Sequence, residues 1–404
     1  MNARAIATAV VAHYRQVQRD LPWRRTRDPY AIWVSEIMLQ QTRVATVIPY
    51  WERWMTKFPT VRSLADAPLD DVLAAWAGLG YYSRARNLQK GAKAVVSDHA
   101  GALPGRAADL RSVPGIGPYT AGAIASIAFG ERTPLVDGNV ARVLARVFGL
   151  TVDVKSTAGT KALWATAGEL MTALPTESAP GELNQGLMEL GATLCSPTQP
   201  RCMVCPVANH CVANREKRTD ELPVMPKRKK ESELPILART LVWIENGGEI
   251  LLARRAPDGL FGGLWELPDI DAAEALGVTP NRTPVAFHDQ TLSHRRLRVT
   301  VVVGSLPEHP AKAKRANLVA PAGSGYDALT RVTIVSAARL GVAAATTAIL
   351  TKYQDTPWTS TPRRSLSSPR ATPRSSKASK PSASRPTTKT SSERQRGRPK
   401  GSTS

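Results

Sequence analysis

Leu110 to Gly122 reads LRSVPGIGPYTAG, and Val136-Asp137-Gly138-Asn139 follows shortly after it. The pattern predicts a helix, a tight Pro-Gly-Ile-Gly turn and a second helix. Gly115 and Gly117 would let backbone N–H groups approach an anion, helped by the positive end of the second helix. Such a turn grips a nucleic-acid backbone without reading its bases. An ordinary helical hairpin sharpened by glycine is the alternative that this stretch leaves open.

Working outward, residues 1–220 read as one all-α unit. Met1–Gln18 has an amphipathic period, Asp28-Pro29 is an N-cap followed by Pro at the first helical position, and apolar runs recur at Val44–Trp54, Val72–Trp76 and Ala121–Phe129. Residues 221–235 carry LPVMPKRKKESEL, charged and without an apolar period, and are expected to be a linker. Residues 236–351 change to strand patterns, with Asn246-Gly247-Gly248 between two apolar runs as a hairpin signal and Leu297–Gly304 as a further strand. This half is expected to be α+β. Residues 352–404 hold 13 Lys and Arg against Asp355 and Glu393 in a Ser, Thr and Pro background, and are expected to be a disordered basic tail. In it Arg396-Gly397-Arg398-Pro399 resembles an AT-hook core, though phosphate neutralisation alone is the simpler reading.

Across the 404 residues, 54 Lys and Arg outweigh 33 Asp and Glu, giving +21. That balance points to a polyanionic partner. No apolar run is long enough for a membrane span and no signal peptide is evident, so the expectation is an intracellular protein, cytoplasmic and nucleoid-associated if bacterial, acting as a monomer. The four cysteines are Cys195, Cys202, Cys205 and Cys211, with six, two and five residues between successive ones. Four thiolates this close can surround zinc or an iron-sulfur cluster, and spacing alone leaves the choice open.

Leu21–Thr42, LPWRRTRDPYAIWVSEIMLQQT, places Glu36 among Ile32, Val34, Ile37 and Met38. A carboxylate in apolar company has a raised pKa suited to proton donation, whereas the same residue on a solvated helix face would do nothing.

The hairpin with its following aspartate resembles the helix-hairpin-helix glycosylase superfamily. PWR (Pro22–Arg24), SEIMLQQT (Ser35–Thr42) and GLGYYSR (Gly78–Arg84) resemble its MutY family of adenine glycosylases, and the cysteine spacing is similar to that family's 4Fe-4S loop. The resemblance implies double-stranded DNA with adenine opposite 8-oxoguanine or guanine as substrate, Glu36 protonating adenine, Asp137 facing the sugar cation, and Tyr119 and Asn139 assisting. It makes Gln41, Thr42, Leu79 and Tyr81 wedge residues, and Trp23, Arg24 and Gln185 contacts to adenine. Endonuclease III relatives carry lysine where Tyr119 stands, which implies a monofunctional enzyme with little or no lyase activity here.

Phe261–Pro268, FGGLWELP, resembles the family's Nudix-like domain, which checks the base opposite adenine. The metal-binding Arg-Glu-x-x-Glu-Glu helix is missing: Asp269, Asp271 and Glu274 are what remains. The family's Phe-Ser-His loop is matched by Leu292, Ser293 and His294, with leucine in place of the aromatic ring.

Overall fold

The structure is a computed structural model that describes residues 2–226, 230–256, 259–292, 294–305, 320, 325–337 and 340–353. Helix α1 (Ala3–Val17) starts at Asn2, whose side chain accepts from Ala5 N. Helix α2 (Pro29–Leu39) begins where Asp28 Oδ1 accepts from Tyr30 N at 3.0 Å, with Pro29 in the first turn, where its missing N–H costs nothing. Every residue from Tyr30 to Met38 in α2 is buried, so this helix has no solvated face for Glu36 to occupy. There follow α3 (Val44–Lys57), α4 (Val61–Asp66), α5 (Leu69–Trp76), α6 (Ser83–Asp98), α7 (Ala107–Leu110), α8 (Pro118–Ala128), α9 (Gly138–Phe148), α10 (Thr157–Ala173), α11 (Pro180–Thr193) and α12 (Val212–Arg215).

These helices enclose two cores. The first, from residues of α2 to α8, is built on Trp33, Trp54 and Trp76, and Trp54 meets Phe58 and Trp76 edge-on at 4.9 and 5.5 Å. Each such pair contributes about 1 kcal/mol beyond its buried area. The second core joins Ile6 and Val10 of α1 to Leu144, Leu170 and Leu187. The chain's first helix therefore crosses over to pack on α11, in the other half. Helix α8 serves both, giving Ile124 to one core and Ala123 to the other.

The predicted hairpin is α7, the turn and α8. Gly115 has φ +84°, where a side chain is strained, and a Cβ there would lie 3.0 Å from Asn87 Cβ and 3.2 Å from Asn87 O, so Asn87 would have to give way. Gly117, the residue before Pro118, has no atom within 4 Å of where its Cβ would be. Its outer side is open.

The second unit is a mixed sheet between helices. Strands β1 (Ile236–Asn246), β2 (Glu249–Arg255), β3 (Trp265–Glu266), β4 (Thr279–Pro280), β5 (Ala286–Thr291), β6 (Arg296–Ser305) and β7 (Tyr326–Thr333) form it, in the order β3-β2-β1-β6-β4, with β5 on β6 and β7 on β2. β1 and β6 run parallel from Ile236↔Arg296 to Ile244↔Gly304. β1 and β2 are joined by Gly247 and Gly248, both at positive φ, the two-residue turn that the sequence signals. Alternation sends Leu241, Trp243 and Val299 to a face covered by α15 (Ala344–Tyr353), and Val242, Ile244 and Val302 to one covered by α13 (Ile270–Ala275). A short α14 (Ile334–Ala337) follows β7.

The expected linker begins docked rather than free. Leu222 is buried, Val224 packs on the second helical core, and Val154 N donates to Val224 O at 3.1 Å. The FGGLWELP segment contributes β3 and also binds the helical part: Phe261 and Leu264 pack into the first core, Arg86 donates to Gly262 O, and Arg254 pairs with Asp70 at 3.6 Å. Helix α15 runs to Tyr353, just past the expected tail boundary at 352, and the rest of the tail with its RGRP run lies outside the described residues. Among the described residues no helix is long and apolar enough to cross a membrane.

Candidate active site and cysteine loop

Between the two helical cores lies a cavity of about 830 Å³. Its lining brings together Trp23, Arg24, Glu36, Gln41, Thr42, Tyr119, Asp137, Asn139 and Gln185, residues spread over some of the longest separations in the helical sequence. Helix α2 supplies Glu36 from one half. Asp137 comes from the start of α9 in the other, and Tyr119 from the first turn of α8, which bridges them.

Glu36 is 5% exposed. Burial pushes its carboxyl up, to about 7; the Tyr119 hydroxyl hydrogen bond opposes that rise, the charge of Asp137 adds to it, and Arg24 lowers it. Tyr119 donates to Glu36 Oε2. A proton on Glu36 is therefore best carried by Oε1, the other oxygen. Burial, then the charges of Glu36 and Asp137, push the Tyr119 phenol well above its ordinary range, so it stays a donor.

Asp137 is both an N-cap and a cavity residue. Its Oδ1 accepts from Val140 N at 2.7 Å and its Oδ2 from Asn139 Nδ2 at 3.2 Å. Burial raises its pKa; the N–H groups of Val140 and Asn139, the Asn139 side chain and the charge of Arg142 pull against that. Arg142 extends the chain of contacts: it donates to Asn139 Oδ1 at 2.8 Å and, through Nε, to Cys195 O at 2.7 Å. A continuous polar path thus joins Asp137 to the first cysteine.

The four cysteines line one small cavity beneath α9 and α11. Burial, opposed by a backbone hydrogen bond at Val207 and aided by the charges of Cys195, Cys211 and Cys202, pushes the Cys205 thiol up to about 11, a sign of the four thiols' closeness. Arg146, buried, points its guanidinium at this loop: it bonds Cys195 Sγ at 3.4 Å, Ser196 O at 2.6 Å, Pro197 O at 3.0 Å and Leu222 O at 2.8 Å, with no carboxylate among these partners. A buried cation beside four thiols suits an anionic thiolate-bound group. Four thiols at one cavity beside a buried arginine are a donor set that fits a thiolate-bound metal group.

Other expected residues stand apart from the cavity. Leu79 is buried in the first core, while Tyr81 beside it is half exposed. Of that pair, Tyr81 is the one that presents its ring to solvent. Gly115 and Gly117 lie in the hairpin turn, His294 is exposed at the start of β6, and Ser293 lies outside the described residues. Sequence reasoning missed Arg19, Glu189, Met188, Lys155 and Met225 in the cavity wall. Glu189 pairs with Arg19 at 2.6 Å and Arg24 at 2.7 Å; burial raises its carboxyl, but those two hydrogen bonds and charges prevail and hold it low. Its signal was available, one helical turn after Gln185 on α11.

Residues 34–165 match the family described as HhH-GPD superfamily base excision DNA repair protein, and residues 239–352 match the NUDIX domain. Fold and site together define a helix-hairpin-helix base-excision protein that carries a Nudix domain. The chain is 40% identical over 320 residues to adenine DNA glycosylase of Homo sapiens, covering 66% of this chain and 57% of that one. Identity is 42% over 305 residues to the Arabidopsis thaliana protein (66% and 48%), and 33% over 325 residues to that of Schizosaccharomyces pombe (65% and 68%). It belongs to the adenine DNA glycosylase family. It spans about half of the length of the human and Arabidopsis relatives.

Proposed function

We propose that this chain excises adenine mispaired with 8-oxoguanine or guanine in double-stranded DNA by hydrolysing the N-glycosidic bond. One observation carries the reading: a buried acid whose carboxyl is pushed up to about 7 and a helix-capping aspartate converge on a single cavity in a member of this family. Leaving-group protonation comes from Glu36 Oε1 to adenine N7, and the Asp137 carboxylate faces the cationic sugar, the division of labour of paired carboxylates in glycoside hydrolysis. Tyr119 orients Glu36 through Oε2, and Asn139 orients Asp137. A phenol cannot form the Schiff base that a lysine would, so the enzyme leaves an abasic site without cutting the strand.

Gln41, Thr42 and Tyr81 fill the space that the extrahelical nucleotide vacates, while Trp23, Arg24 and Gln185 hold the base. The hairpin turn binds a phosphate at the open side of Gly117. Cys195, Cys202, Cys205 and Cys211 hold a 4Fe-4S cluster, which would cross-link the loop and fix the far end of the path from Arg142. Ser293 and His294 probe the opposite base. Pyrophosphate hydrolysis is not part of the reading: Asp269 caps α13 and pairs with Arg239, and Glu274 pairs with Arg282.

Single-turnover excision from a duplex with 8-oxoguanine opposite adenine tests this. Glu36→Gln and Asp137→Asn should each slow base release by at least about 100-fold. Unchanged rates in both variants, or preferential release of thymine glycol, would overturn it.

A further inference from the structure

The two loops assigned as wedges have more in common than position. Gln41, just past α2, has φ 57°, and Tyr81, between α5 and α6, has φ 47°. Both are exposed, and both occupy a left-handed conformation that residues with a side chain rarely adopt. Strain of this kind persists only where the surroundings over-determine it.

One guanidinium supplies those surroundings. Arg84 Nη1 donates to the carbonyls of Ile37, Met38 and Gln40 at 2.8, 3.0 and 2.7 Å. These belong to the end of α2, where carbonyls lack helical partners and the dipole favours a cation. Its Nη2 donates to Leu79 O at 3.0 Å, Gly80 O at 3.1 Å and Thr42 Oγ1 at 3.3 Å. The flat group also lies 5.2 Å from the Trp76 ring centre and 5.7 Å from that of Tyr81. A lysine could not make this two-sided fork. Burial lowers its pKa to about 10, which still leaves it charged at neutral pH.

We propose that Arg84 is a positioning residue that locks the two wedge loops to each other and to the helix carrying Glu36, so that Gln41 and Tyr81 enter the duplex as one unit. This rests on the glycosylase reading, and Arg84 itself touches no base.

The test replaces the target adenine by 2-aminopurine opposite 8-oxoguanine, whose fluorescence rise reports unstacking, and follows release of ordinary adenine separately. Arg84→Met should slow unstacking by about tenfold or more, the loss expected for hydrogen bonds to a charged group, with Arg84→Lys between it and the native chain. The pH dependence of adenine release should keep its native shape. Should Arg84→Met fail to fold, Gln41→Ala, Tyr81→Ala and their combination decide the matter in the presence of Arg84. Coupled loops predict that the double variant is slowed little more than either single one. Losses that multiply, or a folded Arg84→Met chain with a native fluorescence rise, would refute the lock. A native chain that releases no adenine from the separate duplex carrying ordinary adenine opposite 8-oxoguanine would instead refute the glycosylase reading.

Discussion

Glu36 and Glu266 are both buried, at 5% and 1% exposure, in the helical and the sheet-containing parts of the chain. Their partners differ in charge. Glu266 is held by Arg239 at 2.8 and 2.9 Å, by Arg255 at 2.9 Å and by the Tyr326 hydroxyl at 3.0 Å. Glu36 has one phenol and the edge of a solvent-reachable cavity. A carboxylate enclosed by fixed cations stitches β1, β2 and β3 together. One enclosed by apolar helix and a neutral donor keeps the choice of protonation state, which is what a general acid requires.

The comparison breaks most sharply on conservative amides. Glu36→Gln should lose about 1,000-fold in excision, yet the folded chain should gain stability. The folded carboxyl titrates near 7 against an ordinary 4.5, so the folded state binds the proton more tightly, and its contribution fades as pH rises through that window. Urea unfolding at pH 8 should show a gain of up to about 3 kcal/mol for Glu36→Gln, and almost none at pH 4, below the unfolded value. Glu266→Gln should do the reverse. It strands Arg239 and Arg255 and should cost about 3 kcal/mol, while excision at a temperature where the variant is folded stays native. A stabilised Glu266→Gln would put both glutamates in one class.

A third buried charge sharpens the contrast, since Arg146 faces thiols as the arginines beside Glu266 face a carboxylate. With the proposed 4Fe-4S cluster loaded, Arg146→Met should lose iron to a chelator about tenfold faster, read as the decay of visible absorbance. The smallest effect belongs to the tail. Removing residues 354–404 should flatten the salt dependence of nonspecific DNA binding and leave single-turnover excision unchanged, because phosphate neutralisation acts on affinity rather than on the cleft.

Local chemistry announces itself in sequence, and these signals translate directly: Asp28-Pro29 opens α2, the glycine pair turns β1 into β2, and the cysteine spacing gathers four thiols at one cavity. Relations between distant segments have no local period. Nothing in Met1–Gln18 says that α1 packs with α11, and nothing in the charged stretch from Leu222 says that its first residues dock. The arginines were the least legible part. Arg84, Arg142 and Arg146 look like surface charge in a basic chain, and become informative only when their partners prove to be backbone carbonyls from remote loops. Leu79 shows the same gap between motif and packing: its motif resembles a wedge, and in this structure its side chain packs in the first core.

The central claim concerns the proton on Glu36, and the pH dependence of single-turnover excision reads it. In the native chain the rate should fall above about pH 7, tenfold per unit, as the acid is lost. Tyr119→Phe removes the hydrogen bond that favours the ionised form, and should move that fall to higher pH. A fall that stays in place in Tyr119→Phe, or that persists with the native amplitude in Glu36→Gln, would contradict the account.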